Sequence, residues 1–107
     1  MSIQEVSVDA LDAALAAGAR LIDVREVHEY TEGHVPGAQL VVLGTVPDHI
    51  DAFRGDAPTY VICRSGARSL KACEFVADQG VDTINVAGGT LAWIASGRDV
   101  VGGDQPS

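Results

Sequence analysis

The chain has 107 residues and a mass of 11.1 kDa, enough for one domain with a real core and too little for two. Seven basic residues against fifteen acidic ones leave a formal net charge of -8 at pH 7, which argues against nucleic acid or anionic lipid as a principal partner. No apolar run approaches membrane-spanning length, and the start Met1-Ser2-Ile3-Gln4-Glu5 has neither basic residues nor an apolar segment, so a soluble cytoplasmic protein without a secretory signal is expected.

Ser7 can cap a first helix carrying Val8, Leu11 and Leu15 on one side and ending at Gly18. Leu21-Ile22-Asp23-Val24 is short and β-branched, as a buried strand would be. Glu26 to Tyr30 has room for one helical turn or two, and Gly33-His34-Val35-Pro36-Gly37-Ala38 is punctuated as a turn. Leu40-Val41-Val42-Leu43 reads as a strand at least in part. Pro47 can open a helix through Ile50 and Phe53, stopped near Gly55. Thr59-Tyr60-Val61-Ile62 is the next strand, and a helix over 69–79 follows, closed by Gly80. Thr83-Ile84-Asn85-Val86 is the last strand, and Gly88-Gly89 turns the chain into a helix over 90–96. The tail from Gly102 has nothing to bury and is expected to fray. This alternation predicts a small, mostly parallel α/β sheet flanked by helices.

Cys63 carries the chemistry. It stands where a buried strand hands over to a helix, and is followed at once by Arg64-Ser65-Gly66-Ala67-Arg68-Ser69. Such a turn aims several backbone N–H groups at one small volume, and the helix start adds a positive field. A thiol held there ionises more readily than a free one and becomes a nucleophile. Gly66 supplies the φ > 0 that a tight turn needs. Two of the seven basic residues, Arg64 and Arg68, lie in this loop, which suits a small anionic ligand or a thiolate. The second cysteine, Cys73, lies on the apolar stripe Leu70, Cys73, Ala77 and reads as a core thiol. Two cysteines ten apart make neither a disulfide framework nor a zinc set, and isolated His28, His34 and His49 compose no metal site. Trp93 reads as the core anchor of the last helix.

With the loop placed, the chain resembles the single-domain rhodanese family. Four segments carry the likeness: Leu21-Ile22-Asp23-Val24-Arg25-Glu26, Gly33-His34-Val35-Pro36-Gly37-Ala38, Cys63 to Ser69, and Val86-Ala87-Gly88-Gly89 followed by Trp93 and Gly97. The resemblance implies a five-stranded sheet, with Gln4-Glu5-Val6 a candidate for the remaining strand. It implies a thiosulfate sulfurtransferase in which Cys63 becomes a persulfide and residues Arg64, Ser65, Gly66, Ala67, Arg68 and Ser69 hold the substrate. Asp23, Arg25, His34, Gly88, Gly89 and Trp93 take structural roles, and no cofactor or metal is implied. The donor would be a small anionic sulfur compound, and the acceptor cyanide, a thiol or a protein.

Some roles stay open at this level. Arg68 can stabilise the charged sulfur or lock the loop from behind, and Ser69 can donate to the sulfur or cap the helix. A partner-dependent sulfur carrier or protein-binding module is the alternative function. Phosphatase or arsenate reductase chemistry is less favoured, because Cys63 and Arg68 enclose only four residues where related phosphatases enclose five.

Overall fold

A computed structural model of the chain describes residues 2–107; Met1 lies outside the described residues. Five strands form one sheet in the order β1-β5-β4-β2-β3, with β1 at Gln4–Val6, β2 at Leu21–Asp23, β3 at Gln39–Leu40, β4 at Thr59–Ile62 and β5 at Thr83–Val86. Every pairing is parallel, so the expected mostly parallel sheet is wholly so. Gln4-Glu5-Val6 is the fifth strand, paired in register with Ile84, Asn85 and Val86. The edge strands have three residues and two, too short to template pairing with another chain.

Period-two alternation splits the core between the two faces of the sheet. Ile22, Val24, Val61 and Cys63 point to one side, where they meet Val46, Phe53, Cys73 and Val76. Leu21, Ile62 and Val86 point to the other, against Val8, Leu11, Tyr30 and Trp93. The four helices are α1 (Val8–Ala16), α2 (Val27–Glu32), α3 (Ala67–Ala77) and α4 (Gly89–Ala95). Ser7 caps α1 through its side chain, accepting the Ala10 N–H. Glu26 and Glu29 close a reciprocal capping box at the start of α2.

Three segments depart from expectation. The run 40–43 is a strand only at Gln39–Leu40, although the Val41 and Leu43 N–H groups still donate to Asp23 and Val24 beyond the paired residues. The helix expected from Pro47 is instead two 3-10 segments, Leu43–Asp48 and Ile50–Phe53. Pro47 lies inside the first, where it lacks the N–H that an α-helix interior needs. Helix α3 begins two residues earlier than expected, with Gly66 as its N-cap, so Ser69 sits inside the first turn rather than capping it. The tail expected to fray keeps its side chains exposed, yet its backbone is tied down. Gly37 N–H donates to the Pro106 carbonyl and Gly103 N–H to that of Thr31, while Val101 bridges to His34.

Successive connections leave neighbouring strands β2 and β4 in opposite directions: β2 leads outward to β3, and β4 leads the other way to β5. A sheet of this kind opens a crevice beyond the carboxyl ends of those two strands. The segments entering that crevice are Asp23–Arg25 and Cys63–Ser69.

Candidate active site

Strand β4 delivers Cys63 to the crevice, and the next three residues turn the chain into α3. Gly66 makes the turn with φ 110 and ψ -14, left-handed backbone that a side chain would strain. Its N–H donates to Cys63 Sγ at 3.1 Å, and the Ser69 hydroxyl lies 3.3 Å from the same sulfur. Burial opposes ionisation of this thiol, since leaving water disfavours the charged form. The Ser69 hydroxyl and the N–H groups of Ser69, Gly66 and Ser65 outweigh that penalty and hold the Cys63 pKa below the ordinary thiol value. The α3 N-terminus contributes a field of the same sign.

Helix α4 fixes the orientation of the first two peptides of the loop. The Thr90 N–H and hydroxyl both donate to the Cys63 carbonyl, at 2.9 and 3.0 Å, and the Leu91 N–H donates to the Arg64 carbonyl at 3.0 Å. A trans peptide sets its N–H opposite its C=O. Drawing those two carbonyls toward α4 therefore turns the Arg64 and Ser65 amide hydrogens the other way. The approach is close: a Cβ on Gly89 would lie 2.5 Å from the Arg64 oxygen and 2.6 Å from that of Cys63. Gly88 caps α4 at φ 78. The anchoring role of Thr90 leaves no mark in the sequence, because it depends on two segments 27 residues apart.

The two loop arginines are placed differently. Arg68 Nη1 and Nη2 donate to the Glu29 carboxylate at 2.7 and 2.9 Å, clasping α3 to α2. Arg64 is exposed, and its guanidinium has no hydrogen-bond or ion-pair partner among the described residues. Glu29 was not legible as a site residue; it lies 39 positions from its partner in what reads as a surface helix.

The Arg68 bond is the largest cause of a Glu29 pKa lowered to about 2, with burial working against it. A carboxylate whose folded pKa is depressed adds stability that is complete above its unfolded value, near 4.5, and lost as pH falls toward 2. Glu29→Gln is expected to lower the melting temperature at pH 7 and to change it little near pH 2, which flattens its dependence on pH across that window. Unaltered acid sensitivity in thermal melts of the variant would refute a stabilising clasp.

The remaining residues form a frame around the crevice. Arg25 Nε and Nη2 hold the Asp23 carboxylate at 3.0 and 2.9 Å, and Nη2 also donates to the Gly33 carbonyl at 2.8 Å. The pair is buried and satisfied, joining the end of β2 to the turn before His34. His34 is fully buried and stacked on Tyr30 with centroids 3.6 Å apart. Its ring nitrogens lie 2.8 Å from the Tyr30 carbonyl and 3.2 Å from that of Pro106. Trp93 projects from α4 into the core cluster of Val8, Leu11, Tyr30 and Val86 and donates its indole N–H to the Asp99 carbonyl at 2.8 Å. None of Asp23, Arg25, His34 or Trp93 has a hydrogen bond to the sulfur; Ala67 and Ser65 contribute backbone to the loop.

Cys73, in contrast, is buried in α3, and burial pushes its thiol up to about 11. Iodoacetamide at pH 7 is therefore expected to modify one thiol in the native protein and two after denaturation. Native-state labelling of Cys73 at a rate comparable with Cys63 would contradict this assignment.

The fold is thus a parallel α/β sheet that holds a thiol, with its pKa lowered by loop donors, beyond its central strand. The model of the rhodanese-like domain matches residues 7–96 of the chain. YtwF of Bacillus subtilis is 40% identical over 95 residues, which are 87% of this chain and 92% of the relative. A protein of Allochromatium vinosum named sulfurtransferase is 30% identical over 102 residues, 92% of this chain and 95% of the relative. The thiosulfate sulfurtransferase GlpE of Pseudomonas putida is 34% identical over 88 residues, 81% of this chain and 80% of that one. Among solved structures, a rhodanese-like domain protein from Staphylococcus aureus superimposes with a TM-score of 0.80 at 32% identity, covering 85% of this chain and 91% of that one. The chain belongs to the rhodanese-like domain family, and family-level sulfurtransferase function goes with that membership.

Proposed function

We propose that the protein is a sulfurtransferase that carries a sulfane sulfur as a persulfide on Cys63. The observation that carries the reading is the Cys63 sulfur, which receives the Gly66 N–H and the Ser69 hydroxyl and is held below the ordinary thiol pKa. That environment gives a nucleophile at neutral pH without a general base. It suits the product equally, since a persulfide anion needs the same donors.

In the first step the Cys63 thiolate attacks the outer sulfur of thiosulfate. A bond forms between Sγ and that sulfur, the donor's S–S bond breaks, and sulfite leaves with the electron pair. Charge is conserved: a thiolate and a dianion become a persulfide anion and a dianion. In the second step cyanide or an acceptor thiolate attacks the terminal sulfur, forming thiocyanate or an acceptor persulfide and returning the Cys63 thiolate. Arg64, exposed and unpaired at the loop, draws in the dianionic donor and balances the departing sulfite. Arg68 keeps the loop closed through Glu29. Cys63 and Arg68 enclose four residues, and Cys63 is only 1% exposed, which favours a donor that presents a protruding outer sulfur to Sγ over a phosphate ester that must bring its central atom there.

Intact-mass analysis after incubation with thiosulfate tests the reading. A one-sulfur adduct confined to Cys63, released by cyanide or a thiol, is the expected result. No adduct under conditions where iodoacetamide still alkylates Cys63 would reject sulfur transfer from this donor.

A further inference from the structure

The Gly66 carbonyl is approached by three donors. The Leu70 N–H lies at 3.2 Å as the first turn of α3 closes, the Ser69 hydroxyl at 3.2 Å, and the Asn85 side-chain amide at 3.1 Å. Ser69 has one hydroxyl hydrogen and two acceptors in reach, this carbonyl and the Cys63 sulfur at 3.3 Å. A carbonyl oxygen offers two lone pairs. With Leu70 and Asn85 occupying both, the Ser69 hydrogen goes to the sulfur; with Asn85 gone, the carbonyl competes for it.

The orientation of Asn85 is fixed by its neighbours. Its Nδ2 lies 2.7 Å from Glu5 Oε2 and 3.1 Å from the Gly66 oxygen. Both partners are acceptors, so the two amide hydrogens must face them. The amide Oδ1, in a residue fully buried in β5, has no partner among the described residues. A buried oxygen left unpaired is unfavourable, and hydrogen-bonding groups of the residue are therefore used on the donor side alone. Asn85 makes no hydrogen bond with the sulfur, yet it shares the Gly66 carbonyl with the hydroxyl that does.

We propose that Asn85 is a positioning residue: its amide, steadied by Glu5 of β1, occupies the Gly66 carbonyl and so directs the Ser69 hydroxyl to Cys63. The proposal rests on Cys63 being the working thiolate, and alkylation tests it without requiring sulfur transfer. Rates of iodoacetamide alkylation of Cys63 are measured against pH for the native sequence, Asn85→Ala, Ser69→Ala and the double variant. Asn85→Ala is expected to slow alkylation roughly five- to tenfold at slightly acid pH and to displace the profile to higher pH, because one donor to the thiolate is lost. Ser69→Ala should act alike. The double variant should be no slower than Ser69→Ala alone, since Asn85 works only through that hydroxyl.

Singles whose effects multiply in the double variant, or an unmoved profile in Asn85→Ala, would overturn the proposal. Glu5→Ala, at an exposed position, serves if Asn85→Ala does not fold. Removing a negative charge alone would speed alkylation by favouring the thiolate, whereas loosening the amide should slow it about twofold or more. Faster or unchanged alkylation in Glu5→Ala counts against the proposal. Thiosulfate loading run in parallel keeps the two conclusions apart: a displaced alkylation profile in a protein that accepts no sulfur upholds the role of Asn85 and rejects the transfer reaction.

Discussion

Cys63→Ser is expected to give a folded protein that takes up no sulfur, with transfer reduced at least roughly a thousandfold. Serine has nearly the size of cysteine and can accept the same Gly66 N–H, so the loop and the buried surroundings of the residue persist. Its hydroxyl, however, is far too weak an acid for the surrounding donors to ionise at neutral pH. The melting temperature should stay within about 5 °C of the parent, a shift corresponding to roughly 1 kcal/mol in a domain of this size. Mass analysis after thiosulfate treatment then decides the matter. A one-sulfur adduct on the variant would mean that another group, with Cys73 the remaining thiol, carries the sulfur.

Gly89→Ala is expected to damage both stability and the reactive loop, because the new Cβ meets main-chain atoms that have nowhere to go. The contacts would be 2.5 Å to the Arg64 oxygen and 2.6 Å to the Cys63 oxygen, at a residue with φ 60. Left-handed backbone costs a non-glycine residue about 1–2 kcal/mol, and forced overlap in a packed region adds about 1–3 kcal/mol. Separation of α4 from the loop would also release the Cys63 and Arg64 carbonyls, letting the amides turn from the sulfur. Gly97→Ala provides the contrast, since its φ is 84 and nothing lies within 4 Å of the added carbon. The expected result is a much larger fall in melting temperature for Gly89→Ala, together with slower alkylation of Cys63. Equal effects from the two substitutions would show that backbone conformation alone matters and that the α4 contact does not shape the loop.

The sequence was most legible where local pattern and burial agree. Thr59–Ile62 and Thr83–Val86 are found at their expected limits, because each is a short β-branched run bracketed by turn residues. It was least legible over 40–53, where apolar content fits a strand, a buried helix or 3-10 turns equally, and only the packing of Val46 and Phe53 against the sheet decides. The contacts of the tail are made by backbone groups, which composition does not reveal. In the site, the cysteine, its glycine and the loop hydroxyls announced themselves by spacing. Glu29, Thr90 and Glu5 did not, because they reach the loop from elements remote in the chain. Asn85 did leave a signal: a lone amide within an otherwise buried strand needs partners, and those partners turn out to be the loop and β1.

The order of the strands has a bearing on synthesis. Cys63 leaves the ribosome well before Asn85, Thr90 and Leu91, whose contacts shape the ring around its sulfur. A nascent chain ending short of α4 carries the thiol and its loop donors without the contacts that orient the loop, and such a fragment should show a less acidic thiol than the whole protein. Full reactivity is acquired late, when about the final quarter of the polypeptide folds back over the middle.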